Sequence, residues 1–551
     1  MCRRSPRLSV VSSVLTGLAL VAHPGPQSFS SPSSGLEHRL EELLRPRGVS
    51  GKSPCPGAKH RCRTLGELYS SRGFQPLWVD ATGPRPRARA LVEALRASRL
   101  EGLGTGPYRL EALEALTARA GTDLDSLARL ELRLSGVALL HAEHRRHGRV
   151  SPEEQRPPWR IGPREAEPAR VLAALAQETD PLEAFAALDP PHEGYRRLRA
   201  ALAEYRALAA RGGWLQVPKG PPLSLGSRGK RVLALRARLE ATGDLAPTDG
   251  EPSPTFDEPL AAAVRAFQQR HGLPEDGVVG KSTLATLRVP VTARIRQLLL
   301  NLERWRWVPD RLGERYVAVN IPAYELRAVA SDAVALQMRV VVGQHDKRTP
   351  IFADTIERLI INPVWSLPPR IAAEKLFERA PSDPQWVTRN GYQLFSGKQT
   401  LDPNDIDWTA LEGSRLPFRV RQKPGSNNAL GRLKLDMPNR FSVYLHDTPQ
   451  RRLFALPYRA LSYGCVRLER PVELAGFLLA NEPEWSAERV AEAMEAGQTV
   501  TVALSEPVPV YLFYSTSFVD EAGRLHFRPD PYGADKDLAW RLRKIDRDWN
   551  R

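Results

Sequence analysis

The segment "LSYGCVRLE", Leu461 to Glu469, sets a cysteine, Cys465, in a glycine-containing turn, and upstream of it "FSVYLHDTP" ends on His446. A thiol within reach of an imidazole is the pairing for acyl transfer through a thioester. The ring takes the thiol proton and later manages the proton of the attacking group. Alternation in the upstream stretch places Phe441, Val443 and Leu445 on one face of a strand. Ser442, Tyr444 and His446 share the other face, with His446 last before the Asp447-Thr448-Pro449 turn. Cys465 comes directly before "ERPVELAGFLLA", where Pro471 suits a first helical position. Amides near that helix start, together with Arg467 and Arg470, favour the thiolate over the thiol. The amides of Tyr463, Gly464 and Cys465 are candidates for holding an oxyanion. The competing reading is that His446 and Cys465 are two satisfied packing residues.

The compartment bears on that choice. Arg3, Arg4 and Arg7 precede an uncharged run from Leu8 to Ala22, followed by a Pro/Ser/Gly-rich stretch. This is the pattern of a secretory signal, with an uncleaved membrane anchor as the alternative, although the run is short for a span. Export to the periplasm or cell envelope follows. Cys2 would leave with the signal. Cys55 and Cys62, close together in "CPGAKHRC", would face an oxidising environment that favours a local disulfide, the alternative being two free surface thiols. That pairing isolates Cys465 as an odd thiol, which points to reactivity. The 551-residue chain carries a net charge of +16, spread as arginine along its length rather than as a stripe interleaved with aromatics. That distribution argues against a nucleic-acid partner and suits an anionic polymer or envelope.

The elements that must position these residues fall into several domains. Residues 1–22 read as signal peptide or anchor and 23–50 as linker. Residues 51–220 read as an α-helical scaffold domain, rich in Ala, Leu, Glu and Arg. Within it His141, His144 and His147 are spaced three apart, but no acidic or thiol partner is near, and they read as a solvated helix end before Gly148. Residues 224–288 form a compact unit, with Thr255 and Glu258 placed as a capping box. Its "VRAFQQRHGLPEDGVVG" resembles the three-helix peptidoglycan-binding module. Residues 289–312 supply a helix, ending in Trp305-Arg306-Trp307, that packs back on the scaffold. From 313 to 515 the period becomes two: "RYVAVNIPAYELR", "ALQMRVVVG", "ERLIINPVW", "RFSVYLHD" and "TVTVAL" read as strands of a β-rich domain. Residues 371–435, irregular and rich in Pro, Gly, Asn and Asp, read as a lid-like insertion, and 516–551 as a C-terminal extension. The fold class is multi-domain α+β.

"YLHDTP" followed by "LSYGCVRLE" resembles the L,D-transpeptidase (YkuD-type) catalytic domain, in which a histidine precedes a Ser/Thr-His-Gly-Cys motif; here 15 residues separate His446 from Ser462. "NLERWRW", "NIPAYELR", "INPVWSLPP" and "SFVDEAGRLHFRPDPYG" extend the likeness to the large multi-domain, YcbB-type members. The resemblance implies Cys465 as nucleophile and His446 as its base, with Tyr444 lining the site. It matches Ser462, Gly464 and Arg467 to the motif around the cysteine. Tyr463 stands where many members have a second histidine. The activity implied is 3→3 cross-linking of peptidoglycan, with tetrapeptide stems as donor and acceptor, D-alanine released, and no metal or organic cofactor. The alternatives are an L,D-carboxypeptidase or hydrolase using the same thiol, and a cell-wall binding scaffold whose site has lapsed.

Overall fold

The computed structural model describes residues 35–45, 59–162, 164, 168–177, 180–247, 250–411 and 415–550. The signal or anchor reading of 1–22, and Cys55 of the Cys55–Cys62 pairing, lie outside these residues. Gly35–Leu44, inside the segment read as linker, is instead a helix. Leu36, Leu40 and Leu43 fall on one helical face and are buried against the long helix Leu124–His147. Asp123 caps that long helix by accepting the Ser126 N–H at 2.9 Å.

Two of the three histidines differ from the sequence reading, while His147 is half-buried at the helix end. His141 and His144 are buried rather than solvated, because neighbouring elements surround the long helix to its end. Each places Nδ1 near the Tyr108 hydroxyl, at 3.1 and 3.0 Å. Burial first, and nearby arginines second, hold both rings well below the usual histidine range, so they pack as neutral rings.

Helices Lys230–Glu240, Glu258–Arg270 and Lys281–Leu287 form the compact middle unit around Leu235, Leu239, Leu260, Val264 and Phe267. Its second helix is capped by Asp257, which accepts the Leu260 N–H at 3.0 Å, and not by Thr255. Thr255 is extended and bridged to Arg228, too far upstream to reach the first helical turn. Helix Val291–Trp305 lies along Glu193–Ala210 and joins the helical region to the C-terminal segment. Asn301 Oδ1 accepts the Thr516 N–H at 2.9 Å, and its Nδ2 donates to Thr516 Oγ1 at 2.8 Å.

The β-rich domain is built from β1 (Arg315–Asn320), β2 (Glu325–Ala330), β3 (Ala333–Gly343), β4 (Ile351–Ile361), β5 (Leu433–Asp436), β6 (Leu445–His446), β7 (Ala460–Ser462), β8 (Val466–Leu468) and β9 (Val500–Phe513). The sheet curls until it closes, in the order β5-β6-β8-β3-β2-β1-β9-β4, because β5 pairs with both β6 and β4. β7 adds in parallel to β3. Its interior is filled by Val317, Val319, Leu326, Val340, Leu359, Leu435, Leu445, Val466 and Val510, all buried.

The lid-like segment is a small folded unit rather than a loop. Tyr392–Ser396, Gln399–Leu401, Arg419–Gln422 and Trp365–Ser366 form an antiparallel four-stranded sheet. Helices Pro369–Phe377 and Gln385–Arg389 pack on it over Leu376, Val387, Leu394, Trp408 and Val420. Its strands are short and broken by turns, which hides their alternation from a sequence window. Leu433–Asp436, at the far edge of the range read as insertion, belongs to the main sheet as β5.

Candidate functional site

The strand read over 441–446 shortens to Leu445–His446, because Ser442 takes the left-handed conformation, φ 56°, and stops the alternation. Tyr444 and His446 still lie two apart, their rings 5.7 Å from one another. β6 runs parallel to β8, with Leu445 opposite Val466 and His446 opposite Arg467. Leu445 and Val466 are fully buried in the barrel core. The alternate residues therefore share the opposite face: Tyr444 and His446 from one strand, Cys465 and Arg467 from its neighbour. The structure brings these four together. Strands are spaced ~4.8 Å apart, so the His446–Cys465 diagonal is within side-chain reach. No hydrogen bond joins the two among the described residues, and the thiol rests on the Ser442 carbonyl at 3.9 Å.

His446 is buried, and its Nδ1–H donates to the Asp447 carbonyl at 2.5 Å. That bond leaves Nε2 as the acceptor nitrogen. Burial, then the Arg467 charge, pulls its pKa down to about 3, so the ring is neutral at neutral pH. Burial pushes the Cys465 thiol above its usual range, and the Tyr444 N–H and hydroxyl, Lys434 and Arg467 only partly offset this. The resting pair is thus thiol and neutral imidazole, not the thiolate expected from the sequence. The helix Pro471–Leu478 gives no help, because β8 stands between it and Cys465 and carries the chain away. Arg470 points elsewhere, donating to the Gln337 carbonyl. Arg467 alone of the two arginines stands at the site, with one guanidinium nitrogen on Gln450 Oε1 at 2.6 Å.

The turn bearing the cysteine is tied internally. Ser462 Oγ donates to the Cys465 carbonyl at 2.6 Å and accepts the Gly464 N–H at 3.1 Å. The Gly464 amide is therefore spent, which removes it from the candidate oxyanion donors. Gly464 has φ 117°, a conformation costly for any residue with a Cβ. Tyr463 is 43% exposed at the tip of the turn.

Residues 314–502 match the family model described as the L,D-transpeptidase catalytic domain. The chain thus carries an L,D-transpeptidase catalytic domain. Residues 63–202 match a scaffold domain and 228–287 a "putative peptidoglycan binding domain". A Haemophilus influenzae protein described as a "putative L,D-transpeptidase" is 35% identical over 244 residues, 44% of this chain and 49% of its own length. The chain spans about half the length of that curated relative. Among solved structures, the L,D-transpeptidase from Mycobacterium smegmatis is 14% identical over 36% of this chain and 58% of its own, with a TM-score of 0.18. The L,D-transpeptidase from Xylanimonas cellulosilytica is 16% identical over 54% of this chain and 99% of its own, with a TM-score of 0.17.

Several residues around the transpeptidase motif escaped the sequence reading. Lys434 of β5 lies opposite His446 and holds its ammonium 4.5 Å from the Tyr444 ring centroid. It lies within 371–435, the range read as insertion. Gln450 and Ser442 bind Arg467 and the thiol, and nothing in their local pattern marks them. Thr349, in the turn between β3 and β4, donates to the Gly464 carbonyl at 2.8 Å. Only the long-range register of the transpeptidase barrel could have revealed it. Tyr444 packs against the core of the insertion, so that unit abuts the candidate site.

Proposed function

We propose that the chain is a peptidoglycan L,D-transpeptidase, acting in the periplasm, that forms 3→3 cross-links through a thioester on Cys465. The observation that carries this reading is the shared face of β6 and β8, with Tyr444, His446, Cys465 and Arg467 side by side. Cys465 Sγ attacks the carbonyl of the third residue of a tetrapeptide stem as His446 Nε2 takes the thiol proton. The S–C bond forms, the C–N bond to the terminal D-alanine breaks, and the proton leaves on the departing amine. The side-chain amine of a second stem then attacks the thioester. A new C–N bond replaces the C–S bond, and the amine's proton passes through His446 back to sulfur. The low basicity of His446 suits transient rather than standing protonation. Tyr444 hydrogen-bonds the sulfur while it carries charge.

The peptidoglycan-binding module would raise the local concentration of stems. The insertion beside Tyr444 would limit water, which as acceptor yields only a carboxypeptidase. The test is incubation of the full chain with disaccharide-tetrapeptide, read by mass. Dimers with release of D-alanine support the proposal, and monomeric tripeptide would make the enzyme a hydrolase. Absence of turnover with intact binding to sacculi would leave a wall-binding scaffold. Cys465→Ala and His446→Ala should each abolish turnover while sparing wall binding.

A further inference from the structure

An acyl-transfer site needs a donor aimed at the oxygen that gains charge, and here the geometry of one peptide decides which donor that is. The Gly464 N–H is taken by Ser462 Oγ. The Cys465 N–H makes no hydrogen bond among the described residues. Its direction is set by the other end of the same peptide unit, because in a trans peptide the C=O and the following N–H point opposite ways. The Gly464 carbonyl is held inward by Thr349 Oγ1 at 2.8 Å, and Thr349 is completely buried. The Cys465 N–H is therefore turned outward, toward the face that carries the thiol.

Thr349 has no freedom to do otherwise. Its Oγ1 accepts the Gly343 N–H at 2.8 Å, which leaves its own proton for Gly464. Its backbone N–H donates to the Tyr532 hydroxyl at 3.1 Å, and that hydroxyl donates to the Gly343 carbonyl at 2.5 Å. An amide can only donate and a carbonyl only accept, so the direction of both hydroxyls is dictated by their partners. Gly343, Thr349 and Tyr532 form a closed ring of hydrogen bonds beneath the turn.

We infer that Thr349 is a positioning residue of the acyl-transfer reaction, aiming the Cys465 N–H at the developing oxyanion, with Tyr532 from the C-terminal segment holding Thr349 in place. The inference rests on the acyl-transfer reading of Cys465 and adds to it the source of the oxyanion donor. It predicts a separation between two reactions of the same thiol. Acylation by a carbapenem passes through an oxyanion, whereas alkylation by iodoacetamide does not.

The experiment measures both rates by intact mass on the full chain. Thr349→Val keeps the shape and removes the hydroxyl, and it should slow acylation about 10- to 100-fold, short of complete loss of a donor. Alkylation should stay within about 3-fold of wild type, since thiol ionisation is untouched. Thr349→Ser should restore acylation. Tyr532→Phe keeps the Thr349 hydroxyl but loosens it, and should show the same split more weakly, which keeps the test open if Thr349→Val does not fold. Equal losses in both rates, or unchanged acylation in both Thr349→Val and Tyr532→Phe, would overturn the assignment. A wild-type chain that alkylates but is acylated by neither carbapenem nor tetrapeptide would remove the acyl-transfer reading itself, and the assignment with it.

Discussion

Lys347 Nζ stands 3.6 Å from the centroid of the Tyr463 ring and 2.9 Å from Glu374 Oε2. Three separate segments meet there: the turn after β3, the turn that bears Cys465, and the insertion helix Pro369–Phe377. The ring face attracts the ammonium, and the ammonium attracts the carboxylate. The Lys347 and Tyr463 hydrogen bonds lower the Glu374 pKa to about 2. Tyr463 is part of a tie between turn and insertion, outside the face where Tyr444, His446, Cys465 and Arg467 lie.

Tyr463→Phe keeps the ring under Lys347 and removes only the hydroxyl, so acylation should remain within about 2-fold of wild type. Tyr463→Ala removes the ring contact, and a partly exposed contact of this kind is worth roughly 2- to 5-fold in rate if it holds the insertion in place. Stopped-flow acylation by a carbapenem measures both. A 100-fold loss in Tyr463→Phe would place the hydroxyl in the chemistry.

The pH profile follows from two opposite shifts. His446 is held down to about 3 and the Cys465 thiol is pushed above its ordinary range. Between about pH 5 and 8 the proton count of the pair is then constant, where an ordinary histidine would titrate near 6.5. Acylation should be flat across that interval and rise only as the thiol ionises. In the unfolded chain the ring regains its ordinary affinity for protons. Stability carried by burying it neutral is thus present above about pH 6.5 and lost as pH falls toward 3. An inflection in the acylation rate near pH 6.5 would contradict the assignment of a neutral, buried ring.

Cys465, His446 and Tyr444 were legible because their local spacing and setting carry the signal. Thr349, Lys434 and Lys347 reach the site through strand pairing and packing between distant segments, which no local window contains. The thiolate expectation failed for a related reason. Sequence places Cys465 near Pro471, but three residues of strand intervene. The insertion looked irregular because its strands have only two to five residues each. His141 and His144 looked solvated because burial there comes from segments far away in sequence.

Tyr444→Phe isolates the hydrogen bond to sulfur. The hydroxyl is itself held neutral, first by burial and then by the sulfur, so it can only donate to a forming thiolate. A hydrogen bond to a charged group contributes about 1.5–3 kcal/mol, or roughly 10- to 150-fold in rate if fully expressed. Both acylation and alkylation should fall here, in contrast to the split expected at Thr349. An unchanged alkylation rate between pH 7 and 9 would show that the hydroxyl does not support the thiolate.

Gly343→Ala tests how tightly the support beneath the turn is built. A Cβ at this position would overlap the Lys347 carbonyl oxygen and stand 2.5 Å from the Thr349 nitrogen, both backbone atoms that cannot swing aside. The strand end or the turn must move, at a cost of about 1–3 kcal/mol. Thr349 moves with it, since Gly343 N–H is its hydrogen-bond donor. The variant should unfold at lower denaturant and, in whatever fraction remains native, lose acylation more than alkylation. A midpoint equal to that of wild type would mean that the turn relaxes without cost and that the close approach of Gly343 to Thr349 does not constrain the site.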